Sequence, residues 1–196
     1  MRIFIQINGN GDKMRVIAGK LRSRQLKSVG SKLTRPTTDK NKENLFNMIG
    51  PYFDGGVCLD LFGGSGGLGI EAISRGMDQL YSVDKQYKAF QTIKENICSL
   101  NIESQVFVYK LDYQKALQKF SDENLSFDLV LLDPPYGLKV TQKILEFLLN
   151  HQMLNDNCLI VVEDLNEEVF DIPTSLVLKK KQSYGITTLQ ILRYEG

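Results

Sequence analysis

A doubly wound, Rossmann-like α/β sheet is the fold this sequence predicts, and three observations carry the prediction. From residue 57 onward, short apolar runs alternate with amphipathic stretches of helix length, the pattern of a parallel sheet with crossover helices. The first run, VCLDLF (57–62), is continuously apolar but for one acid and closes on Gly63-Gly64, as a strand buried on both faces should. Two further runs, QLYSVD (79–84) and SFDLVLLD (126–133), each end on an aspartate.

Residues 1–13 contain NGNGD and read as a flexible N-terminal extension; they lack a long apolar stretch and a small-residue cleavage site, so no signal peptide is expected. Residues 14–36 form a basic arm. Its apolar alternation (Val16, Ala18, then Leu26, Val29), broken near Gly19 and Ser23, predicts a β-hairpin. Residues 37–196 form the α/β domain. Its first helix starts at Thr38 or Asp39 as cap, carries Leu45, Phe46, Met48 and Ile49 at helical spacing, and stops at Gly50-Pro51. After strand 57–62 come helix 67–76, strand 79–84, helix 86–100, strand 104–110, helix 113–120 and strand 126–133. Helix 140–150 and strand 157–164 follow, and the runs 175–181 and 186–194, joined through SYG, predict a C-terminal antiparallel hairpin.

Apolar residues make up 42% and charged residues 24% of the chain, ordinary for a globular protein. No apolar run reaches the roughly 18 residues of a membrane span. Cys58, Cys98 and Cys158 each lie in an apolar stretch, which predicts reduced core thiols and no zinc site. His151, the single histidine, reads as a surface residue at a helix end, and no metal is expected. The net charge of +1 conceals an asymmetry. Residues 1–42 carry 11 Lys/Arg against Asp12 and Asp39, giving +9; residues 43–196 carry 13 basic and 21 acidic residues, giving −8. A basic arm on an acidic body suits contact with a phosphate backbone, although a solvated basic strand pair has the same composition.

Three motifs carry chemistry. LDLFGGSGGLGIEA (59–72) sets Asp60 near a strand end, ahead of a glycine-rich turn and a helix. Such a turn serves dinucleotides and S-adenosylmethionine alike. Asp60 decides between them, because a carboxylate repels a pyrophosphate and suits the cationic amino group of methionine. Asp84, 24 residues later, is placed to accept ribose hydroxyls from either cofactor. Asp112, in KLDYQKAL, either accepts from an adenine amine or caps the following helix. The third motif, DPPYG (133–137), follows a buried strand. Its two prolines fix the backbone, and its aromatic can stack on a base. Asp133 and the Pro134 carbonyl can accept from an exocyclic base amine, whose delocalised lone pair they would help to localise, without a metal.

Taken together, DLFGGSGGLGIEA, VDK, DPPY and the segment MRVIAGK…TRPTTDKNKENLFNMI resemble the bacterial family that methylates N2 of a guanine in 16S ribosomal RNA (RsmD-like). The resemblance covers nearly all of residues 14–194 in order. The glycine loop and DPPY are shared with adenine-N6 and glutamine-N5 methyltransferases, which usually begin the second motif with Asn; Asp133, RVIAGK and RPTTD sharpen the match. It implies a class I S-adenosylmethionine-dependent methyltransferase, with Asp60, Phe62, Gly63, Gly64, Ser65 and Gly66 around the methionine part, Asp84 on ribose and Asp112 near adenine. It also implies Asp133, Pro134, Pro135 and Tyr136 at the target amine, and an RNA surface of Arg15, Lys20, Arg22, Arg24 and Arg35. Arg35 and Thr37 border either the cofactor or the entering nucleotide, and Arg35 could equally pair with an acid on the body. The implied partner is 16S rRNA or the small ribosomal subunit, bound by a cytoplasmic monomer without a membrane. Two departures from the family are Gly64 and Gly67, where alanine is common.

Two rivals share the fold. An adenine-N6 nucleic-acid methyltransferase would call for a sizeable target-recognition domain, and here only the short arm is available. A non-catalytic RNA-binding or ribosome-assembly protein would have no need of Asp60, Asp84 and DPPY together. An NAD-dependent oxidoreductase has no use for DPPY or the arm.

Overall fold

The computed structural model describes residues 14–30, 39–135, 137–166 and 169–196. Helix α1 (Asp39–Ile49) precedes β1 (Val57–Asp60), α2 (Gly67–Ser74), β2 (Gln79–Val83), α3 (Tyr87–Leu100) and β3 (Val106–Tyr109). Then come α4 (Tyr113–Asp122), β4 (Phe127–Leu132), α5 (Thr141–Asn150), β5 (Leu154–Leu165), β6 (Leu176–Tyr184) and β7 (Thr187–Tyr194). One seven-stranded sheet has the order β3-β2-β1-β4-β5-β7-β6. Strands β1 to β5 are parallel, and β7 runs antiparallel to both β5 and β6. This is the doubly wound sheet expected, closed by the expected C-terminal hairpin. None of the described helices is long and apolar enough to cross a membrane.

Strand alternation divides the core into two layers. Cys58, Leu129, Leu131, Val161, Leu189 and Ile191 face the layer of α1, α2, α3 and the arm. Leu59, Val130, Leu132, Ile160, Val162 and Leu192 face α4 and α5. Each helix buries a stripe, as α3 does with Ala89, Ile93, Ile97 and Leu100, before Asn101 ends it in the left-handed conformation (φ 56°). Because β1 and β4 are neighbours with crossovers leading away on opposite sides, their carboxyl ends border the crevice where open α/β sheets take ligands.

The arm departs from a regular hairpin. Arg15 and Gln25 form one isolated antiparallel bridge, and residues 16–24 wind into a compact turn seated on α2. Gly19 adopts φ +81°, and a Cβ there would stand 1.8 Å from the Ser74 carbonyl oxygen. Lys20 N donates to that oxygen (2.8 Å), and Ser74 Oγ donates to Ala18 O (2.5 Å). Body contacts therefore take up the backbone groups that a longer ladder would have paired. Cys58 and Cys158 are buried free thiols as expected, but Cys98 is exposed, because its position falls on the solvent side of α3. His151 is exposed at the end of α5 and stacks on Phe147 at 3.9 Å.

Candidate active site

Parallel strands deliver Asp60, Asp84, Asp112 and Asp133 to one edge of the sheet. Asp60 ends β1 and is 3% exposed, on the face shared with Cys58. Its Oδ2 is buried with no hydrogen-bond partner among the described residues. Burial pushes this carboxyl up to about 7, with the Asp84 charge adding to the rise and backbone N–H groups of Gly69 and Phe62 opposing it. An orphaned buried acceptor is costly unless something donates to it.

Close approach shapes the glycine turn. A Cβ on Gly63 would meet Ser82 Oγ at 2.6 Å, and one on Gly69 would meet Leu80 Cδ2 at 2.7 Å. Gly64 (φ +55°) instead borders open space, with nothing within 4 Å of where its Cβ would be. Gly66 (φ +79°) sits at the start of α2. Ser65 belongs to the turn, but its Oγ accepts from Val29 N of the arm (3.0 Å) and its carbonyl from Asn96 Nδ2 (2.9 Å). Phe62 leans on Tyr113 with ring centroids 5.8 Å apart.

Asp84 Oδ2 accepts from Gly64 N (3.0 Å), and Oδ1 accepts from Gln86 N (2.8 Å). Burial raises its carboxyl despite these two backbone donors. The carboxylate thus latches the glycine turn and keeps further lone pairs for a ligand. Asp112 Oδ1 accepts from Gln114 N (3.1 Å) as the N-cap of α4.

Asp133 is half-buried one residue beyond the end of β4, with Pro134 buried and Pro135 exposed beyond it. Burial pushes the Asp133 carboxyl up to about 8, and the charges of Glu163, Asp60 and Asp164 add to the rise. Tyr136 and Arg35 lie outside the described residues.

The neighbours of Asp133 on β5 were not among the candidate residues. Leu132 pairs with Val162, so Asp133 and Glu163 follow side by side on adjacent strands. Burial raises the Glu163 carboxyl, with the Thr187 side chain opposing the rise, and Asp164 Oδ2 accepts from Thr141 Oγ1 (3.0 Å). The signal was present, since strand 157–164 ends in Glu-Asp; what it needed was the strand order.

The candidate RNA residues divide by what they touch. Arg15 pairs with Asp39 (2.7 Å), Lys20 Nζ donates to Gln105 (2.9 Å), and Arg24 donates to Ser99 O at the end of α3 (2.8 Å). Arg22 is exposed, and its guanidinium has no partner among the described residues.

The family model described as "Conserved hypothetical protein 95" matches residues 14–193. YlbH of Bacillus subtilis (strain 168) is 45% identical over 184 residues, 93% of this chain and 100% of that one. "Ribosomal RNA small subunit methyltransferase D" of Haemophilus influenzae is 32% identical over 188 residues, 94% of this chain and 95% of that one. The solved structure of yhhF from Escherichia coli matches with a TM-score of 0.82 at 27% identity, over 94% of this chain and 99% of that one. With that match along nearly its whole length, the chain belongs to the Conserved hypothetical protein 95 (RsmD) family.

Proposed function

We propose that this protein transfers the methyl group of S-adenosylmethionine to the exocyclic N2 amine of a guanine in 16S ribosomal RNA. One observation carries the reading. The orphaned carboxylate oxygen of Asp60 and the acceptor Asp133 stand at the carboxyl ends of the adjacent strands β1 and β4, at the same edge of the sheet. The first fits a cationic amino acid and the second a neutral amine. Family membership supports methylation of ribosomal RNA as the coarser statement.

S-adenosylmethionine fits the residues present: Asp60 would accept from its ammonium, Gly63–Gly66 would border its methionine part, and Asp84 would accept from its ribose hydroxyls. Bound there, it supplies an electrophilic methyl group on a cationic sulfonium. Asp112 keeps an oxygen beyond its capping bond for the adenine amine. Asp133 and the Pro134 carbonyl accept from the target amine and localise its lone pair toward the methyl group; as the C–N bond forms and the methyl–sulfur bond breaks, the proton the amine loses passes to the Asp133 carboxylate. Guanine presents N1–H beside N2–H, and a carboxylate accepts from both; adenine would turn a lone pair toward the same oxygen. A base taken out of its stack leaves one face for Tyr136. Residues 14–36 serve as the RNA-facing arm of the 37–196 methyltransferase domain, with Arg22, unpaired among the described residues, reaching phosphate first, Arg15, Lys20 and Arg24 supporting it, and Arg35 a further phosphate contact.

Nucleoside mass spectrometry of 16S rRNA from a deletion strain, with and without complementation, tests the assignment. N2-methylguanosine is expected to fall on deletion and return with the intact gene. Unchanged N2-methylguanosine alongside a lost N6-methyladenosine signal would overturn it.

A further inference from the structure

The acidic body carries one dense positive feature of its own. Residues 43–196 sum to −8, yet Lys179, Lys180 and Lys181 stand consecutively on β6, the outermost strand of the sheet. All three are exposed. No ion pair is formed by any of them among the described residues; Glu195, the acid that Lys179 influences, is itself paired with Arg193. On the arm, by contrast, Arg15, Lys20, Arg24 and Lys27 are each held by a body group.

Guarding a sheet edge against self-pairing is the bland use of such lysines. This edge already has a second guard. The register between β6 and β7 shifts between Leu178 and Lys180, a bulge that breaks the regular pairing template. Position adds a further reason. β6 returns to β7 through Gly185-Ile186, and Thr187 and Leu189 of β7 pair with Leu165 and with Glu163, the neighbour of Asp133. Three residue steps lead from Lys181 to Tyr184 at that turn, roughly 10 Å of extended chain. Across the sheet Lys181 is in register with Gln190, Val162 and Leu132, so the strip lies level with the strand end that carries Asp133.

We infer that Lys179, Lys180 and Lys181 form a second RNA-contact surface, which binds the phosphate backbone of the substrate on the side of the target pocket opposite the arm. The inference rests on the ribosomal RNA reading above. It predicts that phosphate contacts come from two separate strips, with the target nucleotide between them.

The test is equilibrium binding of the full chain to small-subunit ribosomal RNA across a salt series. It compares the parent, a Lys179→Gln/Lys180→Gln/Lys181→Gln variant and a Lys179→Arg/Lys180→Arg/Lys181→Arg control. Each lost phosphate contact removes about 0.7–0.9 from the log–log salt slope, so the glutamine variant should flatten the slope by about 2, with affinity falling tenfold or more at low salt. Its affinity for S-adenosylmethionine and its melting midpoint should match the parent, and the arginine control should keep the parent slope. Equal slopes for parent and glutamine variant, joined by new self-association of the variant, would assign the lysines to edge protection and sink the inference. If the parent itself bound and methylated no ribosomal RNA, the functional reading would fail first and take this surface with it. A parent that methylates RNA while the variant's slope is unchanged fails this inference alone.

Discussion

Asp60 and Asp133 meet the same physics with different tasks. Both are acids raised by burial, to about 7 and about 8, and in the proposed roles each accepts more strongly from its ligand group when ionised. Asp133→Ala is expected to cut the methyl-transfer rate by about 10²–10³ while leaving the S-adenosylmethionine affinity, measured by calorimetry, within about twofold. Asp133→Asn should cost less, because its amide oxygen still accepts. Loss of cofactor binding together with activity would refute the division of roles. The same acids set a pH dependence for the unliganded protein. Their folded pKa values lie above the unfolded carboxylate value near 4, so the folded state holds more protons between about pH 4 and pH 8 and loses stability as pH rises through that window. Asp133→Asn should flatten the fall in melting midpoint across pH 5–8; a profile identical to the parent's would contradict the assignment. The places of Asp60, Asp84 and Asp133 at one edge of the sheet were legible because strand ends and glycine punctuation mark them. Asp112 was legible only as a choice, and the structure shows its capping bond. Glu163 was missed because lateral neighbours on a sheet are set by strand order, which a linear pattern does not contain.

The elements cohere around a buried charge that no local pattern announces. Glu71 on α2 is 0% exposed. Its Oε2 accepts from Ile17 N (2.8 Å) and lies 3.4 Å from Lys42 Nζ, while Oε1 accepts from Ala18 N (2.9 Å) and Arg75 Nε (2.8 Å). Lys42 Nζ also donates to Arg15 O (2.5 Å), and the Arg75 guanidinium lies over Phe46 at 4.8 Å. One carboxylate thereby joins arm, α1 and α2. Burial draws Lys42 below its ordinary pKa, against the pull of Glu71. Glu71→Ala strips two buried cations of their counter-charge and should lower stability by about 3–5 kcal/mol, read as a lower denaturant midpoint. Proteolysis at residues 14–30 should also precede global unfolding. An unchanged midpoint would show that the cluster contributes nothing. From sequence, the arm read as a hairpin because its apolar residues alternate. What holds it is a set of bonds spanning 53 and 54 residues, beyond the reach of any periodicity.

For the whole molecule, strand–helix alternation was enough to specify a doubly wound sheet, since crossover helices of this length leave parallel strands few other arrangements. Boundaries followed closely: the run 113–120 became Tyr113–Asp122, and 157–164 became Leu154–Leu165. The C-terminal hairpin was legible as a hairpin. That its second strand, β7, lies inside the sheet and its first, β6, forms the rim was not legible, because apolar content favours β7 for the interior only once β5 offers it a neighbour. The charge asymmetry between arm and body was visible in composition, but not which cations the body would neutralise.

The bond from Val29 N to Ser65 Oγ, with Asn96 Nδ2 donating to both Ser65 O (2.9 Å) and Lys27 O (3.0 Å), makes the glycine turn and the basic arm, proposed to hold cofactor and RNA, share one seam. Whatever orders one side lowers the entropy left to lose on the other. The two occupancies then become thermodynamically linked, and linkage is reciprocal: the factor by which cofactor tightens RNA must equal the factor by which RNA tightens cofactor. Titrating RNA with and without saturating S-adenosylhomocysteine should show tighter binding with it, in the usual range of about 5–150-fold, and Ser65→Ala should bring the factor toward one. Identical RNA affinity in both titrations would mean that the seam transmits nothing. A coupled protein of this kind spends little time holding its substrate without its methyl donor, so the order in which the two arrive matters less than their joint presence.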